Sequence, residues 1–516
     1  MKNNLKKYFI FVFLGLFSFF LRIINLSKYD FSYDEISGMV RHNFIDTLLL
    51  PIDWLYGNFL NYWMIFGSSE FTLRLSSVLF GVFSVFGIYL LAKELFDEQT
   101  GFLSAFLLSL SPFSIHYSQE IRPYSLVIFL SVLSTYFFIK AIKHSSNYYL
   151  VLNIILNTLS IYFKYTAIFL PVAQFLVFLI FFKKQISKKI LWVYIIQLVL
   201  LVPWICILFS HFILTLHFAG LAKQISPFID SVTFINLFYS LENFISGYYA
   251  ASNIRIIGLI LVAVLSYRGI SYLFRKERVK LFLLLSFIFI PMFLLFIISQ
   301  FKVFYAERYM VSSFIFLYII LAFSLTLVSR KIKFLGIIFI ILFSMVSLFY
   351  YYSNRMETPE YERKGTFEHK EFKKAADYLR ANYKKGDLVF YTGYSSTLPI
   401  EYYMHQYEQK YFVNKGAHKT GLFVRKSFLE SIGREWLIVH QIESHDFYLY
   451  MDIKNFMIQD TDALVKKNNR IWLVLSSWGH SYNLGCVDEW FNKRLSLFNR
   501  KKLGGIEIIL YIKPMV

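Results

Sequence analysis

Apolar runs separated by short polar or basic stretches recur from residue 8 to about residue 352, and then stop. A helix needs roughly 20 residues to cross about 30 Å of hydrocarbon. The pattern predicts about eleven such spans, at 8–26, 71–92, 101–117, 123–142, 147–163, 165–182, 190–210, 254–273, 279–299, 307–328 and 332–352. After Tyr352 charged residues become frequent, beginning with Glu357, Glu360, Glu362, Arg363 and Lys364. A membrane domain, 1–352, and a second domain, 353–516, are therefore expected. In the second, Phe372, Ala376, Leu379 and Tyr383 carry helical spacing over 367–384, and Lys385-Gly386-Asp387 turns into a strand at 388–391. A helix at 397–408 and strands at 436–439, 471–475 and 506–512 complete a small α/β pattern.

Composition agrees with the pattern: 57% of residues are hydrophobic, 20% aromatic and 17% charged, with a mean hydropathy of +0.51. The 59 Phe and 38 Tyr read as lipid contact and interfacial belt, not as a sugar-stacking surface. A net charge of +20 raises nucleic acid as a partner, but the basic clusters border apolar spans, where they orient the chain and meet anionic lipid. Two cysteines, Cys206 and Cys486, do not make a disulfide framework. The first span has a basic leader but no small-x-small cleavage site before Arg22, so it is read as retained.

Lys and Arg mark cytoplasmic loops. The clusters at Lys2, Lys6 and Lys7, at Lys93, at Lys140 and Lys143, at 183–189, at 268–280 and at 330–333 fall on one side if the spans number eleven. That places the amino terminus inside. It places Asp34, Glu35, Arg122, Lys164, the 211–253 segment, Lys302, Arg308 and everything after 352 outside.

Ionisable residues at a membrane boundary are costly and mark function. Four stretches carry them: Tyr29-Asp30-Phe31-Ser32-Tyr33-Asp34-Glu35 after the first span; His116-Tyr117-Ser118-Gln119-Glu120-Ile121-Arg122-Pro123-Tyr124-Ser125; Tyr162-Phe163-Lys164-Tyr165-Thr166; and Lys302-Val303-Phe304-Tyr305-Ala306-Glu307-Arg308-Tyr309. A planar guanidinium holds phosphate bidentately, and a carboxylate is a ready base. Each position also has a purely structural reading. Acids favour a helix start, Arg122 can pair with Glu120, Lys164 can snorkel to the interface, and Arg308 can bridge to Glu307. His116 and Glu120, four apart, are too few for a metal site.

In this ordered set the chain resembles the GT-C superfamily of polyprenyl-phosphate-sugar glycosyltransferases, specifically its protein O-mannosyltransferase and lipid A aminoarabinose transferase branch. The resemblance implies a polytopic α-helical membrane fold with a C-terminal extracytoplasmic α/β domain, in the cell inner membrane. It implies sugar transfer with inversion from a polyprenyl-phosphate donor to an extracytoplasmic acceptor, which is a glycolipid, polysaccharide or protein. Asp34 matches the family's acidic position and is the expected base. Glu35, about 100° away on a helix, orients its surroundings. Arg122, Lys164, Lys302 and Arg308 are expected on the donor phosphate, and Tyr124 and Tyr309 as substrate-positioning rings. No obligatory metal or cofactor is expected. A transporter or lipid flippase is the rival class, but no second half mirrors the first. A non-catalytic assembly protein on the same fold is a third reading.

Overall fold

The computed structural model describes residues 2–39, 54–181, 194–206, 232–301, 305–355, 371–384, 387–392, 394–404, 436–441, 446–451, 468–476, 488 and 491–514. Lys302, Cys486, the cluster at 183–189 and the first part of the 211–253 segment lie outside the described residues. The chain divides into two compact units. One comprises Met1–Leu26, Trp63–Cys206 and Ser231–Thr366, the other Ser27–Tyr62, Ile207–Asp230 and Phe367–Val516.

The first unit is helical and belongs to a multi-pass membrane protein. Among the described residues, 5 helices are long and apolar enough to span: Glu70–Leu95, Tyr124–His144, Ser252–Lys276, Arg278–Gln300 and Arg330–Tyr352. Tyr8–Ile23, Tyr165–Phe181, Tyr194–Cys206 and Ile315–Thr326 are shorter apolar helices. The count of eleven is thus not reached by this measure, and local chemistry explains two of the shortfalls. The stretch 101–117 is two helices, Glu98–Leu110 and Pro112–Ser118. Ser111 between them is extended, and its hydroxyl caps the second helix by accepting from the Ser114 N–H at 3.2 Å. Pro112 follows at the first helical position, where its missing N–H costs nothing. Likewise Asn147–Phe163 ends at Lys164, whose extended backbone opens a 3₁₀ turn, Tyr165–Ile168.

Burial separates central from peripheral helices. In Glu70–Leu95 and Tyr124–His144, 67% of the apolar window is buried, against 22% in Ser252–Lys276 and 28% in Arg330–Tyr352. The latter pair turn Ile257, Val264, Phe339 and Met345 outward, as lipid-facing helices do. Between helices, polar side chains are matched. Asn153 and Asn157 donate to Gln174 Oε1 at 3.0 and 2.8 Å, and Gln174 donates to Thr135 at 3.3 Å. Such bonds join membrane helices that no hydrophobic force drives together.

At the end of Lys2–Ile23, the buried Arg22 donates to Ser18 Oγ at 2.7 Å, Ser114 Oγ at 3.0 Å and Ser118 Oγ at 3.2 Å. Gly81 makes room for this cluster, because a Cβ there would meet Ser118 Oγ at 2.2 Å and Arg22 Nε at 2.8 Å.

The second unit contains a six-stranded sheet in the order β3-β2-β1-β4-β6-β5, formed by β1 Leu388–Thr392, β2 Trp436–Gln441, β3 Asp446–Met451, β4 Arg470–Ser476, β5 Ser496–Leu503 and β6 Ile506–Ile512. β1 and β4 run parallel, and every other neighbouring pair is antiparallel. Trp472, Leu473, Phe390, Ile508, Phe491 and Tyr511 build the core. Asp387 anchors the start of β1 by accepting from Trp472 Nε1 at 2.7 Å and Arg470 Nε at 2.9 Å. The amphipathic helix Phe372–Asn382 buries Phe372, Ala375, Ala376 and Leu379, and it packs against β6. β3 and β5, absent from the expected strand set, are the two sheet edges. β5 carries no apolar run because it is exposed along almost its whole length.

The segment after the first helix belongs to this unit. Phe31 donates its N–H to Tyr403 Oη at 2.8 Å, and its ring stacks on Tyr403 with centroids 6.2 Å apart. Asp30 Oδ2 accepts from the Lys373 N–H at 2.7 Å, in the first turn of Phe372–Asn382. Residues 343 and 372 positions away therefore hold the stretch that leads to Asp34.

Candidate active site

Three of the sequence-selected stretches come together within the first unit, and Lys164 is where they meet. Its side chain is 4% exposed. Nζ stands 5.6 Å from the centroid of the Tyr124 ring, 5.3 Å from that of Tyr165 and 5.9 Å from that of Tyr309. An ammonium within about 6 Å of a ring face is attracted by the ring quadrupole, the more so where water is excluded. Lys164 is therefore buried as a cation held by aromatic faces, not extended to the interface as a snorkelling reading requires.

Two guanidiniums flank the same rings. Arg122 Cζ lies 5.8 Å from the Tyr124 centroid, and Arg308 Cζ lies 5.3 Å from that of Tyr309. Both are half-buried. Tyr124 and Tyr309 thus each bridge Lys164 to an arginine, and the cluster concentrates positive charge in a place of restricted water. The arrangement suits an anion with several acceptor oxygens, because guanidiniums offer paired donors and the low local dielectric strengthens each contact.

Each contributing loop is fixed. Gln119 donates to the carbonyls of Arg22 and Ile24 at 2.7 and 2.8 Å and accepts from Tyr351 Oη at 2.7 Å. His116 Nε2 and Glu120 Oε1 stand 3.2 Å apart, and the Arg122 N–H donates to Glu120 O at 2.9 Å. On the third stretch, Glu307 is buried and accepts from Asn243 Nδ2 at 2.9 Å and Ser240 Oγ at 3.2 Å. That bond ties the Arg308 turn to the helix Ile235–Ser246. Tyr165 lies within a selected stretch but has no role assigned from sequence, and Ser240 and Asn243 lie outside the selected stretches. Tyr165 is the neighbour of Lys164 in its own motif, whereas no local signal marks Ser240 or Asn243.

Asp34 and Glu35 open the short helix Tyr33–Met39 in the second unit. The Glu35 Oε2 accepts from the Ser32 N–H at 2.9 Å, and the Ser32 Oγ accepts from the Glu35 N–H at 3.3 Å. This reciprocal pair is a capping box. It gives buried Glu35 a structural task, and Asp34 stands beside it half-buried. Among the described residues no group of three His, Cys, Asp or Glu has the geometry to hold a metal ion.

Comparisons with known proteins follow the same lines. Residues 53–207 match the family described as dolichyl-phosphate-mannose-protein mannosyltransferase. No curated protein sequence matches the chain. Among solved structures, ArnT from Cupriavidus metallidurans in the apo state is similar over 98% of this chain and 98% of its own, with a TM-score of 0.61 and 12% identity. The same protein bound to undecaprenyl phosphate gives 0.58 and 11% over 98% of each chain. The Archaeoglobus fulgidus oligosaccharyltransferase with Zn and sulfate is similar over 77% of this chain, with a TM-score of 0.44 and 16% identity, and this chain spans 57% of it. At such identities the fold alone is what is shared, and over nearly its whole length this chain has the fold seen in ArnT.

Proposed function

We propose that this protein transfers a sugar from a polyprenyl-phosphate donor to an extracytoplasmic acceptor. The observation that carries the reading is the buried Lys164, ringed by Tyr124, Tyr165 and Tyr309 and flanked through those rings by Arg122 and Arg308. The match of residues 53–207 to a mannosyltransferase family supports it, as does the likeness to ArnT, which was solved with undecaprenyl phosphate. In this reading the acceptor hydroxyl attacks the anomeric carbon and gives its proton to Asp34. The bond from that carbon to the phosphate oxygen breaks, and the configuration inverts. Lys164, Arg122 and Arg308 neutralise the charge that grows on the departing lipid phosphate, and Lys302 is assigned to the same phosphate from its place in the sequence. Tyr124 and Tyr309 set the cations in place. Glu35 holds the helix start on which Asp34 sits.

The protein would act in the inner membrane with its amino terminus cytoplasmic and the second unit outside. The acceptor is a glycolipid, a polysaccharide or a protein, and the reaction needs no obligatory metal. Proteoliposomes supplied with a panel of radiolabelled polyprenyl-phosphate sugars test this. Turnover of one donor by the wild type, lost in Asp34→Asn while donor binding survives, is the expected result. Binding without turnover of any donor would favour a carrier and overturn the transferase reading.

A further inference from the structure

The edge strand β5 carries a surface that the transfer chemistry does not use. Exposed edges invite unwanted pairing, and proteins blunt them with charge and bulges. β5 has both. Its register against β6 slips between Leu497, paired with Tyr511, and Asn499, paired with Leu510. Phe498 is therefore the extra residue of a β-bulge, outside the ladder. It is 66% exposed and Leu497 is 49% exposed, so two large apolar side chains stand in solvent at the rim of a well-packed sheet.

Charge surrounds them. The run 493–502, Lys-Arg-Leu-Ser-Leu-Phe-Asn-Arg-Lys-Lys, holds five cations and no acid. Arg500 is committed to the fold, pairing with Asp488 and, at 3.4 Å, with Glu507. Leu495 is buried and fixes the entry to the strand. Lys493, Lys501 and Lys502 are exposed. The result is an aromatic and an aliphatic side chain bracketed by lysines, on backbone held rigid by the β5–β6 ladder.

We propose that this edge docks on the headgroup layer of an anionic bilayer, with Phe498 and Leu497 seated at the interface and Lys493, Lys501 and Lys502 on lipid phosphates. Basic residues near an anionic surface each add on the order of fivefold to partitioning, and exposed aromatic and aliphatic side chains add apolar burial. Charge complementarity selects this occupant over a second copy, since edge-to-edge pairing of two β5 strands would set lysine rows against each other, where like charges destabilise. The second unit is joined to the first by the peptide bond between Thr366 and Phe367, so a bilayer that holds the first is tethered to it.

The test places a nitroxide at Ser496→Cys in the full-length protein, with Cys206→Ser and Cys486→Ser, in nanodiscs. The ratio of collision with oxygen to collision with a water-soluble nickel chelate is measured in phosphatidylcholine alone and with phosphatidylglycerol added. A several-fold rise on adding the anionic lipid, lost in Lys501→Glu with Lys502→Glu and kept in Lys501→Arg with Lys502→Arg, is expected. A water-like ratio in both lipids overturns the proposal, as does an equal rise in both. Spin–spin broadening between labels would instead seat a second copy on the edge and overturn it too.

Discussion

Lys164 Nζ and the ring of Tyr124 stand 5.6 Å apart, although forty residues and a whole helical hairpin separate them in the chain. The contact brings the loop before Tyr124–His144 to the break after Asn147–Phe163, and Tyr309 adds the third stretch. A single buried cation thereby gathers residues that a linear reading can only nominate separately.

Replacing Lys164 with Met removes the central charge and keeps the bulk. The expected loss in kcat is on the order of 10²–10³, the scale of one preorganised electrostatic group, with weaker binding of the lipid phosphate. Lys164→Arg restores charge but not a compact ammonium among three rings, so it recovers only part. Single-turnover kinetics with labelled donor in proteoliposomes, alongside a binding assay, checks both.

Asp34 and Glu35 separate by chemistry. Asp34→Asn keeps shape and removes the proposed base, so turnover is expected to fall by about 10²–10⁴ with donor binding intact. Glu35→Gln still completes the capping box with Ser32 and keeps turnover within a few-fold of wild type. Glu35→Ala costs about 0.5–2 kcal/mol of local stability. Equal losses in Asp34→Asn and Glu35→Gln would contradict this division of roles.

Tyr403 accepts the Phe31 N–H at 2.8 Å in a buried setting. Tyr403→Phe withdraws that acceptor at a cost of about 1–3 kcal/mol. Hydrogen exchange across residues 29–36 should accelerate in this variant while exchange in Glu70–Leu95 stays as in the wild type.

Gly81→Ala puts a methyl group 2.2 Å from Ser118 Oγ and 2.8 Å from Arg22 Nε. Neither neighbour is a free end, because Arg22 is held by Ser18 and Ser114. Overpacking of this kind costs about 1–3 kcal/mol. A lower apparent Tm in detergent is the expected reading, with little change for an alanine placed at exposed Ser353.

Tyr511 is buried in the second unit and donates to Asp488. Burial, and then that hydrogen bond, push its phenol up from its ordinary value, which is near 10. A folded value raised above the unfolded one gives stability that is complete below the unfolded value and is lost as pH rises through the folded one. The unfolding transition of the second unit should therefore weaken above pH about 10, and Tyr511→Phe should flatten that alkaline limb.

Much of this was legible in the linear order of residues. Long apolar runs and basic flanks identify a polytopic membrane protein, because hydrocarbon admits only helices or closed barrels of adequate length. The Lys164, Arg122 and Arg308 stretches stood out because charge beside apolar spans is rare. Hydropathy runs on past helix ends where a Ser-Pro pair or a buried Lys breaks the helix, as at Ser111 and Lys164. The strands at the sheet edges escaped for the opposite reason. Their pairing comes from a neighbour's backbone, and β5 shows no apolar alternation to announce it.

Solvent preference acts residue by residue, so the sequence by itself determined the membrane class, the change of character after residue 352 and the residue types able to carry chemistry. Only the tertiary structure decided that Lys164 is buried among Tyr124, Tyr165 and Tyr309, that Glu307 is tied to Asn243, and that the stretch leading to Asp34 is held by Tyr403 and the helix Phe372–Asn382. Those facts rest on contacts between distant parts of the chain. Such contacts leave no periodicity behind, because each depends on where the backbone has already brought its partner.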